Sequence, residues 1–162
     1  MPTENIKFEF WLNSQYWKSP PIVEIKIDSI SKYYKLVESH GINYISFSHE
    51  LEFDKNYLIQ LFRQGKDDSQ VRVNHDGTID DQILIIEKIK IDGINIQNLI
   101  DKYSWNEPEY PEPWATEQRN LGITLEEQVL SETNFGHNGV WNLKISSPFY
   151  QYMINENLGK QQ

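Results

Sequence analysis

The stretch "QILIIEKIKIDGINI", residues 82–96, alternates apolar and polar side chains and then breaks at Asp92-Gly93. A period of two places every second side chain on one face of a strand. Asp-Gly between two such runs signals a hairpin, because both residues accept the positive φ that a tight turn requires. The inward phase slips once inside the stretch. Leu84 and Ile86 share a face, Ile89 and Ile91 share it again further on, and the slip falls around Ile86, Glu87 and Lys88. One extra residue in a ladder is a β-bulge, and one is expected here.

The same period runs outward in both directions. "IKFEFWL" puts Ile6, Phe8, Phe10 and Leu12 on one face, with Trp11 on the other, and "PIVEIKID" turns Val23, Ile25 and Ile27 inward. Further strands are expected in "KYYKLVE", "INYISFSHELEF", "YLIQLFR", "QVRVN", "INIQNLI" and "VWNLKIS". "ESHGIN", "FDKNY" and a second Asp-Gly at Asp76-Gly77 supply reversals between them. No helical stripe of comparable length appears, although "WATEQRN" (114–120) suits a turn or two of helix. Many short strands with regular turn signals predict an all-β fold, a jelly-roll-like antiparallel β-sandwich. One domain is expected over 1–162, with final strands returning over 123–154.

Residues 101–122 break the pattern. They hold three of the seven prolines, together with Tyr103, Trp105, Tyr110 and Trp114. Proline removes a ladder donor, so a long surface loop is expected, of the kind that carries function. "NFGHNGVW" (134–141) reads as a tight turn: Gly136 and Gly139 would supply positive φ, Asn138 would tolerate it, and His137 would be exposed.

Composition narrows the function. Aromatic residues make up 13% of the 162 residues, which argues for a packed core. Net charge is −9 with no basic stripe, so nucleic acid is not an expected partner. There is no cysteine, hence no disulfide and no thiolate chemistry. The start lacks the pattern of a secretory signal, and no apolar run reaches the ~18 residues of a membrane span. No phosphate-loop, serine-elbow, zinc-helix or dinucleotide motif is present, and the four histidines have no metal spacing, so no enzyme is expected.

Two groups of residues are candidates for binding. Trp11, Trp17, Trp105, Tyr110 and Trp114 fall on outward phases or in loops, where aromatic rings stack on sugars or anchor protein interfaces. Asp67 and Asp68 in "GKDDSQ", with Asp80 and Asp81 in "HDGTIDD", would bracket one sheet region and offer the oxygen ligands calcium prefers. Solvated turn aspartates are the plainer alternative.

The segment 57–96 resembles the centre of the calcium-dependent, xylan-binding type of carbohydrate-binding module: a strand, an Asp-rich turn, then a strand ending in Ile-x-Ile-Asp-Gly. That resemblance implies glycans as partners and places Asp67, Asp68, Asp80 and Asp81 nearest the metal-binding acids. The whole chain, including "YPEPW" and "GHNGVWNLKISSPFYQYMI", is similar to small proteins of tailed bacteriophages. This second resemblance implies a non-catalytic virion subunit, made in the host cytoplasm, docking on other virion or assembly proteins through the 101–122 segment.

Overall fold

The computed structural model describes residues 2–160, and only the backbone of Asp68 and of residues 157–160. The long alternating stretches all become strands: β1 (Thr3–Gln15), β2 (Ile22–Ile27), β3 (Ile30–Leu36), β4 (Gly41–Glu52), β5 (Lys55–Gln64) and β8 (Ile83–Ile91). Between β5 and β8 lie the two short strands of a separate ribbon, β6 (Arg72–Val73) and β7 (Ile79–Asp80). The later chain adds β9 (Ile94–Asn95), α1 (Gln97–Tyr103), β10 (Trp105–Glu109), α2 (Trp114–Asn120), β11 (Val129–Leu130), β12 (Asn134–Phe135), β13 (Asn138–Ser147) and α3 (Phe149–Lys160).

These strands form an antiparallel β-sandwich. One sheet runs β12-β8-β1-β4, with β9 paired to β8, and the other runs β11-β10-β13-β5-β2-β3. The inward phases read from sequence fill the space between them. Phe8, Phe10 and Leu12 of β1 meet Ile25 and Ile27 of β2, Ile59 and Leu61 of β5, and Trp141 and Leu143 of β13, all buried. The bulge lies where the phase slips: Trp11 faces Lys88 but Leu12 faces Ile86, leaving Glu87 as the extra residue. That single insertion lets Leu84, Ile86, Ile89 and Ile91 all point inward.

Three expectations need correction. Residues 101–122 are not one long loop, because they contain the end of α1, all of β10 and all of α2. Proline is tolerated at position 108 because β11 pairs only with Trp105 and Asn106, leaving the outer side of Pro108 open. "INIQNLI" is a strand only through Asn95; Ile96, Leu99 and Ile100 then follow the i, i+3, i+4 spacing of a helix and are buried. Residues 123–154 do not end in strand either. Phe149, Tyr152 and Met153 have the same helical spacing and dock α3 on the core. Glu4 Oε1 fixes the start of that helix, accepting from the Phe149 amide at 2.7 Å and Ser147 Oγ at 2.8 Å.

The two ends of the sandwich differ. At one end the reversals are tight: Asp28-Ser29 joins β2 to β3 and Asp92-Gly93 joins β8 to β9, all four residues with positive φ. At the other end, β1, β3, β5, β10 and β12 all finish, and the chain makes its longer excursions there.

Candidate ligand-binding groove

The inward phase of β5 is Tyr57, Ile59, Leu61 and then Arg63. Arg63 sits at the top of the core and is 1% exposed. Its Nη1 donates to Asn138 Oδ1 at 2.9 Å and its Nη2 to the Gln82 carbonyl at 2.6 Å. Burial pulls its pKa down to about 10 against the opposing pull of Asp81, which still leaves a cation at neutral pH. Asn138 is shared: its Oδ1 also accepts from the Lys66 amide at 3.0 Å, and its Nδ2 donates to the Lys66 carbonyl at 2.9 Å. Lys66 Nζ pairs with Asp81 at 2.7 Å and reaches the Gly136 carbonyl.

The same polar layer ties down the remaining loops. Gln82 Nε2 donates to the Ser19 carbonyl at 2.9 Å, and Gln70 Nε2 donates to Ser19 Oγ at 2.6 Å. Trp17 Nε1 donates to the Gln70 carbonyl at 2.6 Å, and the Arg72 guanidinium lies 4.1 Å above the Trp17 ring. The excursion from 65 to 82 is thereby held against the 16–21 loop.

The turn at 134–139 is built differently from its expected form. Neither Gly136, Gly139 nor Asn138 has positive φ. Gly139 is required for space, since a Cβ there would lie 2.6 Å from the Glu107 carbonyl oxygen and 3.0 Å from Pro108 Cα. The turn also links the two sheets, because β12 pairs with β8 while β13 pairs with β10 and β5. His137 is half-buried rather than exposed. Its ring stands edge-on to Tyr110 at 5.3 Å and tilted to Trp114 at 5.4 Å, and those two rings are 6.2 Å apart. Burial lowers the His137 pKa first, with Lys66 and Arg63 adding to the effect, so the imidazole is neutral at pH 7. Tyr110 is held by its hydroxyl, which donates to the Glu126 carbonyl at 2.7 Å.

Beside this aromatic cluster opens a groove of about 520 Å³, within the size range of small-ligand sites. Its lining includes Trp114, His137, Lys66, Asp67, Glu109 and Glu112. Rings beside hydrogen-bonding side chains can stack on an apolar ligand face while satisfying its hydroxyls.

The structure brings some of the sequence candidates together and separates others. Tyr110 and Trp114 meet at the groove, and Trp17 lies at the same end of the sandwich. Trp11 is elsewhere, on the outer face of β1, 5.0 Å from Tyr44 and with Lys88 Nζ 4.2 Å above its ring. Trp105 lies on the outer face of β10, where its Nε1 donates to Glu107 Oε1 at 3.2 Å. Among the acids, Asp67 lines the groove and caps its own turn by accepting from the Ser69 amide at 2.9 Å. Asp80 accepts from Arg72 Nη2 at 2.6 Å and Asp81 is paired with Lys66. The Asp68 side chain is outside the described residues. Among the described residues, no three His, Asp or Glu side chains gather as a metal site.

His137, Glu109, Glu112, Lys66 and Asn138 were not among the candidates. One signal for the site does exist in the sequence: an arginine at the fourth inward position of "YLIQLFR" needs buried acceptors, and those acceptors build the groove floor.

No protein-family model matches the chain, and no curated protein matches it. Among solved structures it is similar to a carbohydrate-binding module described as vCBM60 in complex with galactobiose. The TM-score is 0.48 at 6% identity, covering 85% of this chain and 96% of that one. Among the described residues, no helix is long and apolar enough to cross a membrane.

Proposed function

We propose that the protein is a non-catalytic glycan-binding module whose site is the groove beside Trp114. The observation that supports this reading is the meeting of Trp114 and His137, each packed against Tyr110, in the lining of a concave groove with Asp67, Glu109 and Asn138. Sugar rings present an apolar face of C–H groups and an edge of hydroxyls, which such a wall matches. His137 touches two aromatic rings, so it serves as a packing surface of the site and not as a base for a nucleophile.

The test is a glycan-array screen of the purified protein and of Trp114→Ala, each with calcium and with chelator. Binding to one sugar class that disappears in the variant supports the reading. Equal binding by both proteins removes the groove from it. The calcium arm tests the expected role of Asp67, Asp80 and Asp81, since a cation bound by them would make recognition chelator-sensitive.

A second reading, a virion or assembly subunit that docks on other proteins, is supported by the connection between α2 and β11. Leu121 and Ile123 are exposed there and Leu130 is exposed in β11, and exposed aliphatic side chains are the kind that contact surfaces use. Substituting all three by serine should abolish co-assembly on that reading and leave glycan binding intact.

A further inference from the structure

The charge of the groove is lopsided. Asp67, Glu109 and Glu112 line it, against a single lysine, Lys66, whose ammonium is 2.7 Å from Asp81. Arg119 reaches Glu112 only at 3.8 Å, and both side chains are more than half exposed, so this pair is weak. Glu109 has no hydrogen bond or ion pair among the described residues, and it stands at the end of β10 directly across from Asn138. Hydrogen bonds from Ser69 hold the Asp67 carboxyl below its ordinary range, which keeps it ionised.

The aromatic rings at the groove favour the same sign of charge. The face of Trp or Tyr attracts a cation through its quadrupole, and rings with nearby carboxylates form the usual receptor for an ammonium group. The chain uses this contact repeatedly on its own surface, with Arg72 over Trp17 and Lys88 over Trp11, but no cation of the chain lies over Trp114 among the described residues. The buried Arg63 guanidinium turns Nη1 and Nη2 to Asn138 and Gln82, and its charge is felt at His137; three carboxylates line the same groove, and one of them, Glu109, has no cationic partner among the described residues.

We infer that the groove selects a positively charged sugar, one carrying a free amine, over neutral and acidic sugars. This specificity rests on the glycan-binding reading given above. The ammonium sits between the Trp114 face and the carboxylates of Glu109 and Asp67, while the sugar ring packs against Trp114 and His137. An acidic sugar meets the same carboxylates and is repelled.

The experiment compares a short glucosamine oligomer with its fully N-acetylated counterpart of equal length, by calorimetric titration below the pKa of the sugar amine. A galacturonate oligomer serves as the acidic arm. The amine form is expected to bind more tightly than the acetylated form, on the order of tenfold, with the advantage shrinking as salt rises. Glu109→Gln should remove most of that advantage, read as the ratio of the affinities for the two oligomers; this exposed substitution does not threaten the fold. Equal affinity for the two forms, or tighter binding of the galacturonate, overturns the charge selection and leaves glycan binding standing. Absence of binding in every arm overturns both readings.

Discussion

The two ends of the sandwich solve the same problem, reversing a chain between strands, by opposite means. At the end opposite the groove, the Asp28-Ser29 and Asp92-Gly93 reversals each take two residues in positive φ, and each turn needs little beyond itself. At the groove end, the 16–21 and 65–82 connections and the turn before β13 depend on a shared polar layer that includes Arg63, Asn138, Lys66, Gln82 and Gln70. The tight end closes the core. The open end leaves a groove, and the buried hydrogen bonds are what maintain it. Buried polar networks of this kind are costly when incomplete, so stability and site shape are coupled at one end of the molecule only.

This contrast is open to direct test, and the largest effect is expected at Arg63. Arg63→Ala removes a buried side chain, takes the guanidinium donor from the Gln82 carbonyl and leaves Asn138 Oδ1 with the Lys66 amide alone. It should cost about 3 kcal/mol of unfolding free energy, read from denaturant melts, and abolish ligand binding. A loss below about 1 kcal/mol would show that the polar layer does not hold the open end together.

Gly139→Ala follows. Its Cβ would collide with the backbone of Glu107 and Pro108, so β10 must move away from β13. A loss of about 2 kcal/mol is expected, together with broadened amide signals for the groove residues in a two-dimensional NMR spectrum. At the opposite end, Gly93→Ala meets open space and pays only for positive φ, about 1 kcal/mol. Its groove spectrum and ligand affinity should be unchanged. A shift of the groove signals in Gly93→Ala would break the distinction between the ends.

The smallest effect is the pH dependence contributed by His137. Its folded pKa lies below the ordinary value near 6.5, so protonation favours the unfolded chain. The contribution is complete above that ordinary value and is lost as pH falls through the folded pKa. His49 is lowered in the same direction, so His137→Gln should flatten only part of the acid-side slope. An unchanged slope between pH 7 and 5 would mean that the His137 side chain is solvated.

Legibility from sequence follows the same division. The tight end was readable because its information is local: Asp92-Gly93 is a turn by its own chemistry, and the slip at Glu87 marks a bulge without reference to any other strand. The open end was not, because its residues take their roles from distant partners. Pro108 suggested a loop, yet it occupies a strand because β11 stops short of it. His137 looked like an exposed turn residue until Tyr110 and Trp114, brought round by β10 and α2, closed on it. The helical spacings at Ile96 and Phe149 were hidden for another reason. Each begins where an alternating run ends, and the first apolar residue serves both periods.

One consequence of the open end concerns how recognition can change over generations. The residues that lock the floor, Arg63, Lys66, Asn138 and Gly139, lie in or next to the two central strands β5 and β13. Two of the residues that would meet a ligand, Glu112 and Trp114, lie on the 110–128 connection, which Tyr110 pins through Glu126 within that same segment. The floor is thus inherited with the fold, whereas the wall is an exchangeable cassette. A library that varies 110–128 over an unaltered frame should retain its folding yield while the preferred ligand drifts.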